Sequence, residues 1–281
     1  MPVSDAEIAS FSSSHDIITI GMRADELRRR LHGTNTTFVR VVDTGFDGDV
    51  TLPPGAGEIR INGAPALRSA AVSRVAAVVA QARGLPVSAY SLADLDTLAA
   101  REHASLRVIL EELRAAGLEL VAEAPFDRLQ DARRSIEEVN IAGLALARLT
   151  IHQLSTEDSS QQFKRVAELQ RAVAVIRAFA PLPRKINPAV PTTGFDDVKR
   201  VAIARLAVEN IPSIQVDWAL YGPKLAQVAL TVGADDVDSV SAEDDTGEGR
   251  RRAPLEEIRR NIRAAGFDPV ERNGRFDIVA R

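Results

Sequence analysis

Short runs of β-branched and aliphatic residues alternate along this chain with longer stretches whose apolar positions recur at helical spacing, and loops rich in Gly, Pro, Asp and Ser separate them. Residues 25–31 read as a helix ended near Gly33, and 37–42 (Thr-Phe-Val-Arg-Val-Val) as a first strand. Residues 43–57 read as loop, 58–62 as a second strand, and 67–83 as a long Ala/Val helix with Gly84 at its cap. Further strands are predicted at 86–90, 118–122, 145–154, 175–180 and 213–218. Ser91 is placed to N-cap a helix starting at Leu92, and more helices are predicted at 105–116, 126–139, 158–173, 195–208, 223–232 and 255–265. The stretch 181–194 holds four of the fourteen prolines and reads as an ordered loop or lid, while 269–279 reads as a hairpin around Asn273-Gly274.

Regular strand–helix alternation means βαβ units and a parallel sheet. Six or seven such units in 281 residues predict an α/β fold, a TIM-like partial barrel of about six strands. Residues 1–240 would form the barrel, and 241–281 a loop, helix and hairpin packed on it. In such barrels the active site lies at the C-terminal strand ends, so the residues just after each strand are the ones that matter.

Composition narrows the chemistry more than it defines it. The chain is 45% hydrophobic and 26% charged with a net charge of −4, which is ordinary globular composition and gives no broad basic surface for nucleic acid. No apolar run approaches the roughly 20 residues needed to span a bilayer, and the start lacks the basic and apolar regions of a signal peptide. A cytoplasmic location is expected, with no membrane partner. There is no cysteine, which removes disulfides, thiolate nucleophiles and thiolate metal ligands together. The four histidines, His15, His32, His103 and His152, show no metal-binding spacing, so no metal site is expected.

Candidate ligand contacts sit at predicted strand ends. His152 follows Leu149-Thr150-Ile151 and reads equally as a base, a ligand contact or a partly buried histidine bonded to backbone. Asn62, Tyr90 and Glu123 close earlier strands; a carboxylate there can bind ribose hydroxyls or an amine, and can equally cap a helix or pair with an arginine. Asp217 and Trp218 end Ile214-Gln215-Val216, where an acid and an aromatic could bracket a flat ring, with Trp218 as plain core the alternative; Tyr221 could also stack on such a ring. Arg184, Lys185 and Asn187 in the proline-rich stretch suit an anionic group. The run Gly233-Ala234-Asp235-Asp236-Val237-Asp238 reads as a strand-end acid cluster, and Arg250-Arg251-Arg252 after Glu243-Asp244-Asp245 as a self-compensating loop.

Residues 209–240, from Glu-Asn-Ile-Pro-Ser-Ile-Gln-Val-Asp-Trp through Gly-Pro-Lys-Leu-Ala-Gln-Val-Ala-Leu to Gly-Ala-Asp-Asp-Val-Asp, resemble the segment "NIPHIKAYW…GPKLAQVAL…GADDLDG" of the futalosine-pathway radical-SAM enzymes of menaquinone biosynthesis. The tail at 262–272 is similar to that family's "IREAGRVPVERD", 179–183 to its "FIPLPF", and 24–33 to its leading helix "ADEVRRRLHG". The resemblance implies a β/α barrel, a 4Fe–4S cluster held by Cys-x-x-x-Cys-x-x-Cys after the first strand, and S-adenosylmethionine cleaved on it. Here that place reads Val42-Asp43-Thr44-Gly45-Phe46-Asp47-Gly48-Asp49, and the following helix is missing. Oxygen ligands do not replace three soft thiolates, so no cluster is expected, and S-adenosylmethionine binding is not carried over. The family's glycine-rich methionine-binding strand end is reduced to Ile61-Asn62-Gly63-Ala64.

Two readings follow. One is a non-catalytic relative that binds a futalosine-like nucleoside or aromatic carboxylate, or that partners an active pathway enzyme. The other is an enzyme using His152, Glu123 and Asp217 for acid–base chemistry on a related ligand.

Overall fold

The computed structural model describes residues 3–244 and 253–279. Two helices, α1 (Asp5–Ser13) and α2 (Ile17–His32), precede the first strand. A reciprocal Ser4/Glu7 capping box starts α1, Asp16 caps α2, and Gly33 ends α2 with φ 61°. The expected helix at 25–31 is therefore only the second half of a longer element.

The strands are β1 (Asn35–Thr44), β2 (Glu58–Ile61), β3 (Val87–Ser91), β4 (Leu120–Pro125), β5 (Ala145–Leu146), β6 (Leu149–Gln153), β7 (Ala178–Lys185), β8 (Ser213–Asp217), β9 (Asp236–Ser241) and β10 (Asp268–Arg272). Among them run α3 (Arg68–Gln81), α4 (Leu92–Arg101), α5 (Leu106–Ala115), α6 (Ala132–Ile141), α7 (Ser159–Val173), α8 (Gly194–Ala207), α9 (Trp218–Leu230) and α10 (Pro254–Ala264). Every strand pairing is parallel. The order β1-β2-β3-β4-β6-β7-β8-β9 closes on itself because β9 also pairs with β1, Thr37 opposite Asp236 and Val41 opposite Ser241.

The barrel is thus closed and eight-stranded, not the six-stranded partial barrel expected from the sequence. The strand that closes it, β9, carries Asp236 and Asp238, which read as an acid cluster. Its period-two pattern, Asp236-Val237-Asp238, is that of a strand whose polar face meets charges inside a barrel. Proline misled the reading of β7 in the same way. The strand continues past Pro181 and Pro183 to Lys185 because the register to β6 skips from Thr150–Ala180 to Ile151–Pro183, so that Pro181 falls in the bulge and Pro183 ends it.

The missing helix after β1 has a structural consequence. Residues 45–57 return from the top of the barrel to its base with no helix or strand, and Pro53-Pro54 cannot join a ladder. The short β2 leaves the lower edge of β1 bare, and β10 fills it in parallel, Asn35 opposite Asp268 and Val39 opposite Arg272. The expected 269–279 hairpin shrinks to a turn and one antiparallel bridge, Arg272 to Ile278. The strand expected over 145–154 is likewise split, with Ala147 and Arg148 at the break between β5 and β6. The run Arg250-Arg251-Arg252 lies outside the described residues.

Apolar burial lies between the strands and the helices, where Ile59, Ile61, Val75, Leu95, Leu110, Phe163, Phe179, Ile203 and Ile214 are almost wholly covered. The barrel interior is polar instead. Its base holds Arg272 on Asp236 with Gln215 (2.6 Å each), and its middle holds Glu58, Arg60, Ser88, Arg148 and Asp238. No helix among the described residues is long and apolar enough to cross a membrane.

Candidate functional site

A cavity of about 570 Å³ opens at the C-terminal strand ends. Five cations (Arg60, Arg128, Arg148, Arg184, Lys185) and four carboxylates (Asp43, Asp94, Glu123, Asp217) line it, together with Asn62, Tyr90, Ser91, His152 and Ser239. Parallel strands converge on one mouth, which is why residues so far apart in sequence share one space.

The charges inside are mostly spent on one another. Arg60 donates to Glu58 (3.0 Å), to Ser239 Oγ (2.9 Å) and to both oxygens of Asp238 (2.9 and 3.2 Å). Burial opposes its charge, but Asp238 and Glu58 overcome that and raise its pKa well above the ordinary value. Arg184 joins Asp217 and lies 3.3 Å from Glu123; burial again works against the charge, and again the carboxylates outweigh it. Asp217 also caps α9, accepting from Leu220 N (2.9 Å), and accepts from Ser239 (3.0 Å). At the rim Asn62 donates to Asp43 (2.8 Å) and Arg128 to Asp94 (3.0 Å).

Arg148 differs. It is 5% exposed, its Nη1 lies 2.6 Å from Asp238, and its Nε is buried without a hydrogen-bond partner; the Nε of Arg184 also lacks one but faces Glu123 at 3.3 Å. Burial holds its pKa below the ordinary guanidinium value, and the neighbouring charge of Arg60 pushes the same way.

The candidates read from sequence are distributed as follows. Asn62, Tyr90, Glu123, His152, Arg184 and Asp217 all border the cavity, and Trp218 does not. Trp218 is half-buried at the start of α9 and packs against the apolar core. Tyr90 presents its ring, stacked on Phe46 at 5.9 Å, but its hydroxyl is turned to the Ala71 carbonyl (3.1 Å). Burial raises that phenol to about 12. Tyr221 is likewise committed, donating to the Pro183 carbonyl. The backbone N–H groups of His152 and Gln153 are held by Asp127 (2.6 and 2.9 Å), which leaves the His152 ring at the cavity wall. Arg184 belongs to a strand rather than a lid loop. Tyr90 (φ 60°) and Ser239 (φ 58°) are left-handed without being glycine, a conformation that costs about 1–3 kcal/mol and gathers at functional sites.

Arg60, Arg148 and Ser239 were not singled out from the sequence, and Asp238 only as the end of an acid cluster. The available signal was a charge standing every second residue inside an apolar strand, as in Glu58-Ile59-Arg60-Ile61, or alone within Leu146-Ala147-Arg148-Leu149. A second cavity, about 370 Å³, lies at the strand starts near Gln170, Arg177 and Asn210, but Gln170 and Asn210 are already bonded to backbone carbonyls (3.0 and 2.9 Å). Among the described residues no group of three or more acidic or histidine side chains is placed to hold a metal ion.

The loop after β1 also shows what it can hold. Arg74 donates to the carbonyls of Gly45 (2.7 Å) and Gly48 (2.8 Å) and to Thr44 Oγ1 (2.7 Å), and Phe46 fills the space above Tyr90. Engaged oxygens, an aromatic ring and a guanidinium do not fit an iron–sulfur cluster, which needs thiolates.

Comparison with known proteins agrees with this architecture. Residues 180–280 match the family described as the CofH/MqnC C-terminal region. Aminodeoxyfutalosine synthase of Streptomyces coelicolor is 39% identical over 94 residues, 31% of this chain and 24% of that protein. The Thermus thermophilus aminodeoxyfutalosine synthase is 28% identical over 230 residues, 69% of this chain and 60% of that one. The matched region therefore spans less than two thirds of either curated relative. In fold, the crystal structure of methylornithine synthase superposes with a TM-score of 0.69 at 13% identity, covering 96% of this chain and 94% of that one. The chain resembles the futalosine-pathway radical-SAM enzymes, matching their C-terminal region over residues 180–280, and its closed parallel β/α barrel has the fold of methylornithine synthase.

Proposed function

We propose that this chain is a barrel that works without an iron–sulfur cluster, its mouth binding a futalosine-like nucleoside or a related aromatic carboxylate. It would do so either alone or as the non-catalytic partner of an active pathway enzyme. The observation that carries this reading is the strand-end cavity, of a size suited to a small molecule and lined by fixed polar groups, beside a loop whose residues do not suit a cluster. The acid–base alternative is weaker. Glu123 and Asp217 are both clamped on Arg184, so neither is a free base, and His152 stands without a paired nucleophile.

Two measurements test this. Anaerobic reconstitution with iron and sulfide should leave the protein colourless, and S-adenosylmethionine with dithionite should yield no deoxyadenosine; stoichiometric cluster absorbance or deoxyadenosine would overturn the cluster-less reading. In a thermal-shift series, futalosine, aminofutalosine or benzoate should raise Tm and S-adenosylmethionine should not. A series in which none of the three stabilises the protein would count against the binding reading.

A further inference from the structure

The cations around the cavity are not equivalent, and the difference shows where an anion belongs. Arg60, Arg128 and Arg184 each face at least one carboxylate directly. Lys185 is exposed at the rim. Arg148 is buried, and its one carboxylate contact among the described residues, Asp238, is already gripped through both oxygens by Arg60.

We infer that Arg148 forms the anion-binding end of the mouth cavity, with the ligand's carboxylate lying on the guanidinium edge that carries Nε. This deepens the binding reading above and rests on it. Three features support it. First, the Arg148 Nε–H is buried with no acceptor, and a ligand oxygen there would satisfy it. Second, Ser91 lines the same cavity, and its Oγ is also buried without a partner, which offers a second donor. Third, Arg148 shares Asp238 with Arg60, whereas Arg184 faces both Asp217 and Glu123; the lowered pKa of Arg148, from burial and then Arg60, agrees with that.

The same geometry selects the class of anion. A guanidinium edge offers two parallel N–H groups, which matches the two oxygens of a carboxylate. The cavity wall also carries Asp43, Asp94, Glu123 and Asp217, which offset four of its five cations, so a doubly charged phosphate would be less well compensated than a carboxylate. A planar monoanion is therefore favoured, carboxylate inward, with the remainder of the molecule toward Asn62, His152 and the rim. This gives the anion to Arg148 rather than to Arg184, Lys185 and Asn187, which the sequence suggested for it.

The test compares benzoate with benzamide, which share a shape and differ in charge, and uses adenosine as a neutral nucleoside. Dissociation constants are measured by NMR titration on the whole protein and on Arg148→Met and Arg148→Lys. Wild type should bind benzoate at least about tenfold more tightly than benzamide, and that preference should vanish in Arg148→Met and be partial in Arg148→Lys, which keeps the charge and loses the fork. The Arg148 Nε–H resonance should move with benzoate and not with benzamide, a readout that needs no variant to fold. Equal binding of acid and amide, an unmoved Nε–H signal, or an acid preference kept in Arg148→Met would overturn the inference. If adenosine binds at the mouth and benzoate shows no preference, the anion site alone fails. If no probe binds, the mouth reading fails with it.

Discussion

Asp238 is the residue on which the interior charges converge. It faces Arg60 and Arg148, and the exposed surface left to it is 1%. Burial alone would push its pKa up; Arg148 and Arg60 outweigh that and hold the carboxyl well below the usual carboxylate range. A depressed folded-state pKa adds stability that is complete above the unfolded value of about 3.9 and is lost as the pH falls toward the folded one. Asp238→Asn leaves two buried guanidinium groups undercompensated, and should cost about 3–5 kcal/mol at neutral pH. In urea unfolding, the gap between variant and parent should narrow once the pH drops below about 4, where the parent begins to lose its ionised advantage. A gap that is constant from neutral pH into that acid range would show that the ion pairs contribute nothing specific.

At the scale of elements, the segment 45–57 replaces a helix and depends on contacts from α3. Arg74 holds its first turn through three oxygens, and Gln81 accepts from Val50 N (3.1 Å). Arg74→Ala should therefore speed hydrogen exchange in 45–50 while β3, β4 and β8 keep their protection. Equal exchange in variant and parent would mean that the loop is held by Phe46 and Tyr90 alone. The irregularity of this segment was legible from its Gly, Asp and Pro content. What held it was not, because an arginine in the helix pattern of 67–83 looks like any solvated charge until the barrel brings Gly45 and Gly48 to it. The elements that were misread, β7 past Pro181 and the whole of β9, share one cause. Proline and aspartate usually mark loops, and only a closed barrel with a charged interior gives them a place in strands.

For the molecule as a whole, strand–helix alternation sufficed for the class of fold, and the missed β9 is why closure was not foreseen. The convergence of Tyr90, Glu123, His152 and Asp217 on one cavity follows from topology once parallel strands are assumed, whereas Arg184 was read in a loop and only the longer β7 places it there. Arg148 was not, since its importance lies in what its neighbours leave unpaired. The central claim is that this mouth is a ligand-binding site, and a backbone NMR titration with futalosine tests it most directly. Saturating ligand should perturb Asn62, Ser91, Arg148, His152 and Ser239 at the strand ends and leave Gln170 and Arg177 at the strand starts unchanged. Perturbation confined to Gln170 and Arg177, or none at the strand ends, would contradict it.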